Sequence, residues 1–136
     1  MGRVTLTQAL DYYGATAVNI RYAVSAITSD RKEIVVSCWE QFLHDLGDGC
    51  YAYRDSFARW KVNERGRRLL SSHLNLAKLM QLPVRLIIAS PTRPDLVEAG
   101  GDTSKIPKTF SVRPELVGEV VSVNNAGFEV RFSQKG

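Results

Sequence analysis

Six cationic side chains fall between Tyr51 and Arg68: Arg54, Arg59, Lys61, Arg65, Arg67 and Arg68, against two acids, Asp55 and Glu64. That excess of four equals the whole formal charge of the chain, +4; the other residues carry twelve bases and twelve acids. Charges concentrated in this way reinforce one another within a Debye length and attract an anion better than the same charge spread thinly. Four aromatics, Tyr51, Tyr53, Phe57 and Trp60, are interleaved with them. Guanidinium groups grip phosphate oxygens, and flat rings offer stacking surfaces to bases. Residue types in this pattern point to nucleic-acid binding, with Arg54, Arg59, Lys61, Arg65, Arg67 and Arg68 on phosphates and Trp60 with Tyr51 or Tyr53 on a base. Phe57 reads as core.

The position of three arginines adds to this reading. Asn63 is a natural N-cap for a helix from 64 to about 81, so Arg65, Arg67 and Arg68 enter its first turns. Free N–H groups already make that end partly positive, and a cation there costs a few tenths of a kcal/mol or more. The placement is explained if an external anion occupies the helix start, with Gly66 allowing close approach to the backbone. The competing explanation is a solvated charged face whose arginines pair with acids elsewhere. A docking surface for an acidic protein partner is the second functional reading.

Other constellations converge less. His44, Asp45, Asp48 and Cys50 match no metal spacing, and turn chemistry accounts for the acids. Ser37 and Cys38 near Glu40 lack a positioned base. His73 falls on an apolar helical stripe and reads as a satisfied core histidine. Asp95, Glu98, Asp102 and Lys105 give a third reading, a Mg²⁺-dependent nuclease or hydrolase, but in a loop rather than on paired strands. Gly100–Gly101 lacks the Lys-Ser/Thr of a phosphate loop. The sequence thus assigns no catalytic set, cofactor or metal, and favours a binding module over an enzyme.

The positioning elements are those of an α+β fold on a single domain spanning 1–136. At 136 residues, with 44% hydrophobic and 24% charged side chains, the chain has ordinary globular composition. No apolar run reaches the roughly 20 residues of a membrane-spanning helix. The N-terminal stretch has no secretory core, and Leu6 stands where a myristoylation motif requires Ser or Thr. Two cysteines are too few for a disulfide framework, so a reducing, cytoplasmic setting is expected.

Thr5 and Gln8 form a capping box ahead of a first helix that Gly14 closes. Ala17, Ile20, Val24 and Ile27 predict a second N-terminal helix; a helix-turn-helix is a less economical reading of this pair than a plain helical hairpin. Residues 33–41 and 51–60 alternate as strands and are expected to form a hairpin across the turn HDLGDGC, Tyr51, Tyr53, Asp55 and Phe57 on one face, Ala52, Arg54, Ser56 and Ala58 on the other. Leu70, Leu74 and Ala77 stripe the long central helix, and VRLIIAS reads as an interior strand. Residues 91–116 hold four of the five prolines and are expected to be a loop that can close over a ligand with Lys105 and Lys108. A terminal hairpin turns at Asn124, Asn125 and Gly127. Together these predict a curled mixed sheet of about five strands, a partly open barrel with helices outside.

Overall fold

The structure, a computed structural model, describes residues 5–18, 23–59, 63–98 and 106–134, with the side chain of Arg59 excepted. The chain is α+β, built on one mixed sheet of eight strands, not about five. The first helix, α1 (Leu6–Tyr12), begins as its sequence requires: the Thr5 hydroxyl accepts from the Gln8 N–H, and the Gln8 side chain caps Thr5 in return. Tyr13 ends it and Gly14 takes φ 76°.

Among the described residues the expected second helix is not formed. Residues 15–18 are not helical, and β1 (Ser25–Ile27) pairs antiparallel with β2 (Ile34–Trp39); Ile20 lies outside the described residues. A short apolar run fits either period, and here pairing with a β-branched neighbour decides. The β1–β2 turn is fixed by Asp30, whose carboxylate accepts from the Thr28 hydroxyl and the Lys32 N–H.

Beyond a 3-10 turn at Glu40–Phe42, β3 (Leu43–Gly47) and β4 (Cys50–Ser56) make the hairpin. The expected partner of β4 was β2. Instead β2 runs parallel to β5 (Val84–Pro91), Ile34 opposite Val84 and Trp39 opposite Ala89. The central helix α2 (Glu64–Met80) matches its stripe, burying Leu70, His73, Leu74 and Ala77. Residues 91–116 are not one loop: α3 (Pro94–Glu98) and β6 (Lys108–Val112) lie within them, β6 antiparallel to the end of β5. The terminal hairpin joins β7 (Leu116–Val123) to β8 (Gly127–Gln134). A Cβ on Gly118 would stand 2.6 Å from the Phe132 ring, so the bare backbone lets that ring lie flat on β7.

The strand order is β1-β2-β5-β7-β8-β4-β3, with β6 beside β5. Trp39 and Leu43 are four residues apart, a span of at most about 14 Å. In a flat sheet β2 and β3 would be five strand spacings, about 24 Å, apart. The sheet therefore curls until its far strand returns toward β2. Its end strands β1 and β3 are not paired with each other, so it stays open. The inner face carries Ile34, Val36, Cys38, Tyr53, Val84, Leu86, Ile88, Leu116, Phe128, Val130 and Phe132 against α2. On the outer face Val35 and Ile87 are covered by Ala9, Leu10 and Ala15. Among the described residues no helix is long and apolar enough to cross a membrane.

Candidate anion-binding surface

The start of α2 is built by Asn63, which adopts the left-handed conformation (φ 59°, ψ 46°) that asparagine tolerates. Its side-chain oxygen accepts from the Gly66 N–H at 3.2 Å, and its carbonyl accepts from the Arg67 N–H at 3.1 Å. Gly66 is buried and its donor is engaged, so it does not provide the open backbone approach expected of it.

Three arginines project from this turn in different ways. Arg65 is exposed. Arg67 is half-buried, its guanidinium 6.0 Å from the centroid of the Phe57 ring. Phe57 is itself core, 5.5 Å from the Phe128 ring. Arg68 pairs with Glu64 one helical turn back, and both side chains are largely exposed, 72% and 61%. Asn63, Glu64, Arg65 and Arg68 line a shallow, open depression.

The remaining expected site residues do not gather there. Arg54 lies opposite Glu129 in the β4–β8 register, on the outer face of the sheet, whereas its neighbour Tyr53 points inward to α2. Its Nε is 3.4 Å from Glu129, which also accepts from Arg131 at 2.7 Å. The Arg131 hydrogen bond, with a smaller contribution from Arg54, holds the Glu129 carboxyl below the usual carboxylate range. Tyr53 is 1% exposed with its ring 5.4 Å from Phe128, so it is core and offers no stacking surface. Tyr51 is half-buried, and a different cation, Arg113, lies 5.6 Å from its ring centroid. Trp60, Lys61 and the Arg59 side chain lie outside the described residues.

The sequence reading missed a second set of arginines because each stands alone in a strand or bend. Arg85 reaches Glu33 at 3.2 Å and the Pro114 carbonyl at 2.8 Å, and stacks 5.0 Å over Tyr13. The Tyr13 hydroxyl donates to the Leu86 carbonyl at 2.9 Å and accepts from the Arg113 N–H at 3.2 Å. Burial pushes that phenol up to about 12.

Among the described residues no catalytic set is brought together. Among the described residues no three His, Cys, Asp or Glu side chains could hold a metal ion. Asp95 pairs with Arg93 at 3.0 Å at the surface; Asp102 and Lys105 lie outside the described residues. Cys38 is fully buried, and burial pushes its thiol well above the ordinary range, away from a thiolate. His73 is buried and its Nδ1 meets the Ser25 hydroxyl at 2.7 Å. No family model matches the chain, and neither a curated protein nor a solved structure matches it.

Proposed function

We propose that the chain is a nucleic-acid-binding module that takes the phosphate backbone at the start of α2. Arg65, Arg67 and Arg68 are its phosphate contacts, and the preceding segment contributes Arg59 and Lys61, with Trp60 stacking on a base. The site is narrower than the sequence patch. Arg54 belongs to the opposite side of the sheet, Tyr53 to the core, and Tyr51 to the contact with Arg113.

The observation that carries the reading is the set of three arginines against a single acid, Glu64, at a helix start that already bears the positive end of the dipole. Phe57 supports the Arg67 guanidinium from below, which lowers the entropy lost when it grips an oxygen. A phosphate backbone suits the surface because its charges repeat along a strand, as the arginines do along the turn. The two free thiols, Cys38 and Cys50, are in keeping with a reducing, cytoplasmic setting.

Titration of a short single-stranded oligonucleotide, followed by Trp fluorescence, tests the reading. Five phosphate contacts, Arg59 and Lys61 with the three arginines of α2, predict that log K falls against log salt with a slope of about −3.5 on single-stranded DNA. Arg65→Glu with Arg68→Glu, both exposed positions, is expected to weaken binding at least tenfold and flatten the slope, while Arg54→Glu leaves it unchanged. An unaltered slope in the double variant overturns the proposal. So does preferential binding of polyglutamate that the oligonucleotide does not displace, which would mark an acidic protein partner instead.

A further inference from the structure

The Ser25–His73 contact lies apart from this surface, where the edge strand β1 meets α2. Ser25 is 2% exposed and His73 7%, and their hydroxyl and Nδ1 are 2.7 Å apart. Strand β1 has three residues, paired with Val36, Val35 and Ile34 of β2; on its other side, among the described residues, it is tied just past its end by the Ala15–Thr28 bridge and the Ser29 N–H donating to the Gly14 carbonyl. It occupies one end of the strand order. Short edge elements held by few pairs open at a lower cost than the whole fold. Ser25 and Ile27 on its inner face fasten β1 to α2, and among the described residues the polar link between the two elements is the hydroxyl–imidazole bond.

The surroundings of His73 are what make this link responsive. Around this junction the inner face of β1 carries Ser25 and Ile27, that of β2 Ile34, Val36 and the neutral Cys38 thiol, that of β7 Leu116 and Val120, and the buried stripe of α2 Leu70, Leu74 and Ala77. None of these is a carboxylate or a cation. An imidazolium could still donate to the Ser25 oxygen, but its charge would be stranded among apolar groups. Burial accordingly moves His73 below its ordinary value of 6.5. When β1 lifts, the ring meets water and recovers that ordinary value, so protons favour the open form as pH falls below about 6.5. We propose that Ser25 and His73 form a catch that releases the edge strand β1 from α2 when His73 gains a proton. Release bares the edge of β2, a row of N–H and C=O groups able to accept another strand.

Native-state amide exchange by NMR, corrected for intrinsic rates, tests the catch. Between pH 7 and pH 5 the Ala26 amide, the Thr28 amide, which donates to Glu33, and the Ser37 amide, which donates to Val24, are expected to lose about tenfold in protection. Those of β7 and β8 are expected to keep theirs. In His73→Gln the pH step at β1 disappears. The wild-type profile decides even where the variant does not fold: protection at β1 that is constant with pH, or that falls in parallel with β7 and β8, overturns the proposal.

Discussion

Arg85 and Arg68 bring the same side chain into opposite surroundings. Arg85 is 18% exposed, stacked on Tyr13, bridged to Glu33 and bonded to a backbone carbonyl of the bend between β6 and β7. Arg68 is 72% exposed and holds one carboxylate from its own helix. The first arginine joins α1, β5 and the bend, so its cationic fork is used up in structure. The second meets water on most sides, and an exchange of its partner for another anion disturbs nothing else. Local density of charge, which drew attention to residues 51–68, does not separate these cases. Enclosure does.

The largest effect that tests this contrast is at Arg85. Arg85→Ala strips Glu33 and the Pro114 carbonyl of their donor and uncovers Tyr13, at an expected cost of about 2 kcal/mol in urea unfolding. Arg65→Ala at the proposed surface is expected to cost less than about 0.5 kcal/mol. Arg85 Nε is buried without a hydrogen-bond partner, so the guanidinium is imperfectly compensated. Arg85→Met, which keeps the stem and drops the buried charge, should therefore recover at least half of the loss. A loss at Arg85→Ala no greater than at Arg65→Ala would erase the distinction between the two sets.

Tyr13→Phe probes the same junction more gently. It deletes a hydroxyl that donates to Leu86 and accepts from Arg113, for about 1 kcal/mol. Its pH signature is sharper than its size. The folded phenol titrates at about 12 and the unfolded one near 10. The native state thus binds the proton more tightly, and its stability is present below pH 10 and lost as pH rises toward 12. Alkaline unfolding of the Phe variant should be flatter over that window. An identical alkaline slope in the two proteins would mean that Tyr13 is solvated.

The elements legible in the sequence are those specified by near neighbours. Thr5 with Gln8, Asn63 with Gly66, the Leu70–Leu74–Ala77 stripe and the Asn124 turn each act within four or so residues, and each forms where its spacing places it. What was not legible depends on partners far along the chain. Strand β2 was assigned to its neighbour in sequence, yet pairs with β5 some fifty residues on. Strand β3 looked like a turn because four of its five residues face solvent and only Leu43 packs inward. The alternation of Tyr51, Tyr53 and Asp55 against Ala52 and Arg54 was readable, but not which face turned toward α2. That single ambiguity decided which candidates survived: it moved Tyr53 into the core and Arg54 to the far side of the sheet.

Glu64 gives the finest test of the exposed set. It is the one acid in the first turn of α2, where a negative charge favours the helix dipole, and it also occupies the guanidinium of Arg68. A phosphate that binds Arg68 has to displace it. An exposed pair one helical turn apart is worth about 0.3–0.5 kcal/mol, so removing the competitor should tighten oligonucleotide binding about twofold. The same change removes a favourable charge from the helix start and should lower stability by a few tenths of a kcal/mol. Glu64→Gln is thus expected to move the two measurements in opposite directions, weaker in unfolding and stronger in binding. Were Arg68 a structural arginine of the Arg85 kind, losing its carboxylate would weaken both together.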